Sequence, residues 1–506
     1  MNAKLSLCAS KLALALGVMF CAQTIQAQNL WEQGRNIAGE AAGSQPGHEA
    51  EAYIGGNFTS GEFRSPSAGK TVWTAVTEAE AVSSFKDLYL KGNFGFELQY
   101  GTSMMGSMFT DPGYYPVDVL EFTPGTKVRQ TYDVGGGLAW KNGSRWTPGA
   151  EFAFRGVNYA KRKDLRHYTY RQEFSVAPSV HYDGGPFQLG LTAYFEKNSE
   201  FIVADQLGQA RAEPYMAFLD KGMRYGTLQV WDSDGIHLND AGVSRFPVKQ
   251  YVFGGALQGS YKNCLYADVE YLRYAGEVGE KGYLWFHFPE NDFCAKIIGV
   301  IRSGSFTHTI RADYNLHNVQ SFEVVVDKVN SGGVTRPVIY GDNLIYRRWF
   351  YSLTPSYRLT HSSGWMVGAA LTLESSRELG TLMYPYFDDD RARHMRWSVM
   401  GVVPLGKFVI RAGGLFIYKY GEHRHVVDTA EAHTGIVSNL TRLQDWWDRE
   451  QEAADATRFA ISASVRYTFW KGMYVEAGCN WMHAFNITLL SGNDRQTTHL
   501  KLGYSF

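Results

Sequence analysis

Beyond its first thirty residues the chain has no apolar run approaching the ~18 uncharged residues that a membrane-crossing helix requires. Should it enter a membrane, it must do so as a closed barrel, because lipid offers no partner to an open strand edge. Cysteine is scarce: five in 506 residues, of which Cys264, Cys294 and Cys479 remain once the N-terminal leader is set aside. That odd number has no metal-ligand spacing. Cys264 and Cys294 would begin successive antiparallel strands, at opposite ends of a hairpin, so no disulfide is expected between them. An excess of one charge is also missing. There are 49 basic and 50 acidic residues and no basic block, which argues against nucleic acid as a partner.

What is present points to β structure. Glycine is frequent, at 53 residues, and 31 tyrosines join 30 phenylalanines. The N-terminus reads as a signal peptide over residues 1–27: Lys4 and Lys11 precede an apolar stretch from Leu12 to Ala22, and Ala27 stands before the expected cut at Gln28. A lipoprotein cleavage at Cys21 is the weaker reading, since Val18-Met19-Phe20 lacks small residues. Residues 28–50 then form a periplasmic or lumenal segment, and 51–506 the barrel.

The last nine residues alternate cleanly. Leu500, Leu502, Tyr504 and Phe506 share one face, and His499, Lys501, Gly503 and Ser505 the other. A chain ending on an aromatic residue, with Tyr504 two before Phe506, resembles the signal read by the bacterial barrel-assembly machinery. The same period recurs at Phe459–Phe469, Ile310–Leu316 and Tyr351–Leu359. Period alone does not separate a barrel from a sandwich. The connections do.

Strands are expected near 51–59, 71–81, 87–100, 131–141, 149–157, 168–182, 187–197, 250–262 and 264–275. Nine more fall near 293–303, 307–317, 347–360, 364–374, 394–403, 407–419, 458–470, 472–484 and 496–506. Turns after even-numbered strands are short, and links after odd-numbered ones are long, the extremes being 198–249, 420–457, 101–130 and 318–346. That asymmetry predicts an all-β fold: a transmembrane antiparallel up-and-down barrel of about eighteen strands, sixteen being the alternative, with long outer loops and short periplasmic turns. Tyr89, Tyr100, Tyr132, Trp140, Trp365, Trp397, Tyr418 and Trp481 fall near strand ends, where aromatic girdles belong.

Two segments carry a family resemblance. Asn29-Leu30-Trp31-Glu32-Gln33-Gly34-Arg35-Asn36-Ile37-Ala38-Gly39, and the stretch from Asn158 through His167 into Tyr168-Thr169-Tyr170-Arg171-Gln172-Glu173, resemble an uncharacterised group of Bacteroidota outer-membrane barrels. The resemblance implies a barrel often encoded with TonB-dependent uptake systems. It implies no reaction and no catalytic residue. The sequence has no Gly-rich plug domain of the length a TonB-dependent receptor needs.

Chemistry-bearing clusters are few. Asp388-Asp389-Asp390 is expected in an outer loop, balanced by Arg391 and Arg393 as a solvated acidic turn. Asp232-Ser233-Asp234-Gly235 with Asn239-Asp240 holds part of a calcium loop but lacks the distal glutamate. His423, His425 and His433 lack a fourth ligand at useful spacing. His361-Ser362-Ser363-Gly364 reads as a turn, and His483 has no serine partner for phospholipase chemistry. No catalytic residue, cofactor or metal site is therefore expected.

The inward parity is richer. Glu97, Arg155, Arg171, Glu173, Asp268, Glu270, Arg302, Arg311, Asp313, Arg358, Arg411 and Arg466 all fall on it. These charges either set a transverse field for polar solutes or pair with one another to fill the interior. Both readings stand open. The function expected is a channel or an accessory barrel of nutrient uptake. The alternative is a surface-binding or assembly protein whose pore is closed by loops. Outer-membrane lipid and the assembly machinery are the expected partners, with a TonB-dependent receptor or surface lipoprotein beside them. The loop 198–249, with Arg211, Glu213, Tyr215, Phe218 and Trp231, is the expected constriction.

Overall fold

The computed structural model describes residues 29–506 apart from 142, 164–165, 206–215, 224, 233–234, 237–244, 281–282, 332, 381–386 and 427–436. The leader, Gly208, Arg211, Glu213, Tyr215, Ser233, Asp234, Asn239, Asp240 and His433 lie outside these residues.

Eighteen antiparallel strands close into one barrel. The first seven are β1 (Gly47–Gly61), β2 (Thr71–Ser84), β3 (Leu88–Ser107), β4 (Asp118–Trp140), β5 (Trp146–Lys161), β6 (Arg166–Asp183) and β7 (Phe187–Asp205). Three short strands, β8 (Met216–Gly222), β9 (Tyr225–Asp232) and β10 (Gly235–Ile236), lie in the following loop. The wall resumes with β11 (Arg245–Tyr261), β12 (Leu265–Glu280), β13 (Tyr283–Ser303), β14 (Phe306–Ser331), β15 (Val334–His361) and β16 (Met366–Gly380). It ends with β17 (Phe387–Leu405), β18 (Phe408–Val426), β19 (Arg458–Trp470), β20 (Met473–Ala484) and β21 (Asp494–Ser505). The eighteen-strand reading holds over sixteen.

Closure leaves no edge in the wall. The first strand pairs with β2 on one side and β21 on the other, and Ala50 and Phe506 exchange backbone hydrogen bonds at 3.0 Å. Apolar side chains of every second residue face outward, among them Leu500, Leu502, Tyr504 and Phe506, the last 67% exposed. Such a belt is what a barrel of outer-membrane type presents to lipid. Its strands meet at one end through short turns. Lys471 and Gly472 both take positive φ, and a Cβ on Gly472 would lie 2.0 Å from the Ser505 carbonyl, so only glycine fits there.

The strands run further at the other end than the alternation indicates. Residues 318–346, expected as a loop, are the continuing β14–β15 hairpin. Past Glu323 and Tyr346 it has no paired neighbour among the described residues and stands above the rim as a two-stranded ribbon. Asp388, Asp389 and Asp390 likewise begin β17 instead of a loop, and all three are buried. Beyond the apolar belt the strict alternation breaks while the backbone ladder continues, with Val325, Val329, Ile339 and Tyr340 exposed on the ribbon. Tyr89 is a second correction: it turns into the lumen at 4% exposure, where its hydroxyl meets Glu40, and is no girdle residue.

Candidate functional site

The lumen is filled at both ends by different means. At the turn end, a 3-10 turn (Leu30–Gln33) and α1 (Ile37–Gly43) sit inside the wall. Asn29 and Asn36 cap them, each side chain accepting a backbone N–H two or three residues on. Trp31 is almost fully buried. Its indole N–H donates to Gln188 Oε1 at 2.9 Å, and its ring meets His181 and Tyr266 edge-on. Around it Leu30 clusters with Tyr266, Ile298 and Val300, Ile37 and Ala41 cluster with Tyr89 and Ala139, and polar contacts join them. Asn36 Nδ2 donates to Gln258, Arg311 Nη1 donates to Gln33 Oε1, and Lys91 donates to both oxygens of Glu40. Burial pushes the Glu40 carboxyl up to about 7, outweighing the opposing pull of Lys91.

At the loop end, the chain between β3 and β4 turns inward. Met108, Phe109, Tyr114, Tyr115 and Val117 enter an apolar cluster with the wall residues Ile202, Phe246, Val248, Phe288 and Tyr346. Buried backbone needs partners, and this segment has them: Glu200 accepts from Thr110 N at 2.8 Å, and Thr169 Oγ1 donates to the Met108 carbonyl at 2.7 Å. Asp111 is its electrostatic pin. Arg171 and Arg129 both donate to it, at 2.7 and 2.8 Å, and Tyr114 stacks 4.0 Å from the Arg171 guanidinium. Burial pushes Asp111 up, but the two arginines more than offset it and hold the carboxyl below its ordinary range.

The expected constriction is thus displaced. Residues 108–117, and not 198–249 alone, fill the outer lumen. From the latter loop Ala217, Phe218, Leu219 and Met223 are buried, and β8 pairs with the start of β4. A helix, α2 (Val437–Asp455), roofs this end: Trp446 packs on Leu120 and Phe218, and Glu452 accepts backbone N–H groups of Thr488 and Leu490 at 2.6 and 2.7 Å.

Between the seals the inward charges meet one another. Arg171 also holds Glu173 at 2.8 Å, and Arg155 stands 3.6 Å from Asp133, with Glu97 nearby. Arg311 is bidentate to Asp313. Arg411 and Arg466 converge on Glu476, and Arg466 reaches Glu51 at 3.1 Å. Asp268 is buried near Lys296, and Glu270 lies 4.0 Å from Arg35. Arg358 stands beside Arg311, while Arg302 is exposed at the turn end. Sequence reading missed Asp111, Arg129 and Glu476. The last was available from parity alone, two residues from Tyr474 on β20.

The remaining clusters do not assemble. Asp389 is held by Arg377 and Arg391 at 2.8 and 3.1 Å, and among the described residues no three His, Cys, Asp or Glu side chains converge as a metal site. Cys264, Cys294 and Cys479 form no disulfide among the described residues. His483 pairs with Asp494 at 2.9 Å, and His361 hydrogen-bonds Ser363 within its turn at 2.8 Å.

Residues 42–506 match the model of a family described as a family of unknown function, DUF6850. The chain belongs to that family. None of the curated proteins matches it. Among solved structures, the barrel is similar to the Pseudomonas aeruginosa receptor FpvA bound to pyoverdine, at TM-score 0.39 and 8% identity, over 91% of this chain and 72% of that one. It is similar to the ferric-catecholate import receptor Fiu of Escherichia coli K12, at 0.40 and 7%, over 90% and 81%. The copper transporter OprC matches at 0.37 and 7%, over 92% and 81%.

Proposed function

We propose that the protein is a barrel of the Gram-negative outer membrane that serves solute uptake, is closed at rest, and uses its N-terminal segment as the periplasmic gate. One observation carries this reading: the two seals differ in kind. The outer seal is one large apolar core, whereas the N-terminal segment rests on two small apolar clusters, one around Leu30 and Trp31 and one around Ile37 and Ala41, together with side-chain hydrogen bonds. Small, partly polar interfaces come apart more readily than large apolar ones. In this reading Glu97, Arg155, Arg171, Glu173, Asp268, Glu270, Arg302, Arg311, Asp313, Arg358, Arg411 and Arg466 line the path, Tyr504 and Phe506 present the assembly signal, and a TonB-dependent receptor or surface lipoprotein is the partner in uptake. The leader 1–27 is cleaved on export. No reaction is assigned.

The apolar core of the outer seal favours a second reading, a permanently closed barrel that binds a partner with its outer face. Planar-bilayer recording separates the two. The intact protein should be silent, and deletion of 29–44 together with 109–116 should open a steady conductance. Silence of a correctly folded double deletion would hand the function to the surface-binding reading. Steady conductance of the intact protein would remove closure at rest.

A further inference from the structure

On the outward face of β15–β18, just above the apolar belt, the register builds a basic lattice. Arg377 stands directly opposite Arg391, and the next position along β17 is Arg393, opposite Tyr420. One step higher, Asp389 faces Arg424. Like charges directly opposite on one sheet face repel. Asp389 bridges the pair, accepting from Arg377 at 2.8 Å and from Arg391 at 3.1 Å, yet their side chains remain 40% and 52% exposed. Arg393 is exposed, and donates to the Tyr420 hydroxyl at 3.2 Å. Among the described residues, Asp389 and Glu422 alone oppose this charge on the face.

The row beneath is the belt itself. Leu373, Trp397 and Tyr418 are exposed outward, and Trp349 lies 6.0 Å from the Arg377 guanidinium. Guanidinium groups stacked on aromatics, one step above lipid-facing side chains, sit at headgroup height. Their planar forks match phosphate oxygens two at a time. Elsewhere on the rim Lys197 and Lys249 face Tyr251 and Glu277 across the ladder and Arg273 faces Phe253, so no two of those cations stand opposite.

We propose that this face binds the phosphate-bearing headgroup of an outer-leaflet glycolipid. The inference rests on the membrane orientation given above, and is independent of whether the lumen conducts. The probes are diphosphorylated lipid A and the same lipid after phosphatase treatment, added to the full-length protein in neutral detergent and followed by native mass spectrometry. The intact protein should prefer the phosphorylated form at least tenfold. The triple variant Arg377→Gln/Arg391→Gln/Arg393→Gln should lose that preference, while Lys197→Gln/Lys249→Gln/Arg273→Gln keeps it. Arg393→Gln alone leaves the Asp389 bridge intact and should lower the preference about threefold, which covers misfolding of the triple variant. An intact protein indifferent to phosphorylation overturns the proposal. So does a folded triple variant that still discriminates, or displacement of the lipid by an equal concentration of inorganic phosphate. Bilayer conductance of the triple variant, unchanged from the parent protein, keeps this result separate from the transport reading.

Discussion

Arg171 on the wall donates through Nη1 to Asp111 of the inward loop at 2.7 Å, with both side chains nearly excluded from solvent. This pair ties residues 108–117 to β6. Breaking a buried pair by neutralising one partner strands the other charge, at a cost of roughly 3 kcal/mol when a second partner remains, as Glu173 does here. Asp111→Asn should therefore speed hydrogen exchange of the 108–117 amides about a hundredfold while the wall strands keep their protection. Unchanged exchange would show that the apolar cluster alone holds the loop.

Trp31 is the corresponding anchor at the turn end. Its replacement by alanine removes a buried indole, its bond to Gln188 and two edge-on ring contacts, a loss of about 3–5 kcal/mol. Because only the small cluster at Ile37 and Ala41 and a few polar contacts hold α1 besides, Trp31→Ala should loosen the segment and expose Arg35 to trypsin, with the barrel still heat-modifiable on gels. Equal cleavage of variant and parent would place the anchor elsewhere.

The wall was legible because an apolar belt outside and a polar lumen inside impose a strict rule. Each span must show apolar residues at every second position, as Leu500, Leu502 and Tyr504 do, and all eighteen expected strands are present. Beyond the belt the rule lapses. Gln320, Glu323 and Asp327 break the alternation, so 318–346 read as loop although the ladder runs on to Ser331. The outer seal was located only in part for a related reason. Length pointed to 198–249, but Met108, Phe109, Tyr114, Tyr115 and Val117 crowd an outer loop that should have been polar, and that crowding was the available sign of an inward fold. Parity located the lumenal charges one by one. It could not show that Arg411 and Arg466 share Glu476, because that contact depends on how β18, β19 and β20 are staggered.

Phe506 closes the barrel as well as ending it. Its backbone pairs with Ala50 in both directions, and its ring packs beside Tyr504 on the lipid face, centroids 5.5 Å apart. Phe506→Asp puts a charge on that face and should cut the outer-membrane yield several-fold, read as heat-modifiable protein per cell, with Phe506→Tyr near the parent level. Full yield of the aspartate variant would deny the terminal aromatic any role in assembly.

The contacts of Glu40 and Asp111 should answer pH in opposite directions, and the sign follows from their shifts. Burial raises Glu40 from 4.5 to about 7, above its unfolded value. Its contribution to docking is thus complete below pH ~4.5 and is lost as pH rises through 7, a difference of about 3 kcal/mol. Asp111 is held below its ordinary 3.8 by Arg129 and Arg171, so its contribution is complete above that value and is lost only in stronger acid. From pH 5 to pH 8 the Asp111 pair should hold while the Glu40 contact weakens; burial also raises Asp118 and Asp220 of the outer seal to about 7, so that seal loses their contribution over the same window. Hydrogen exchange at α1, corrected for the intrinsic rate at each pH, should therefore accelerate across that window. Glu40→Gln mimics the neutral acid and should hold α1 at its low-pH protection up to pH 8. If the α1 amides of the parent protein keep the same corrected rate at both pH values, ionisation of Glu40 does not govern the seal at the turn end, and the apolar clusters with the polar contacts of Asn36 and Gln33 must hold it instead.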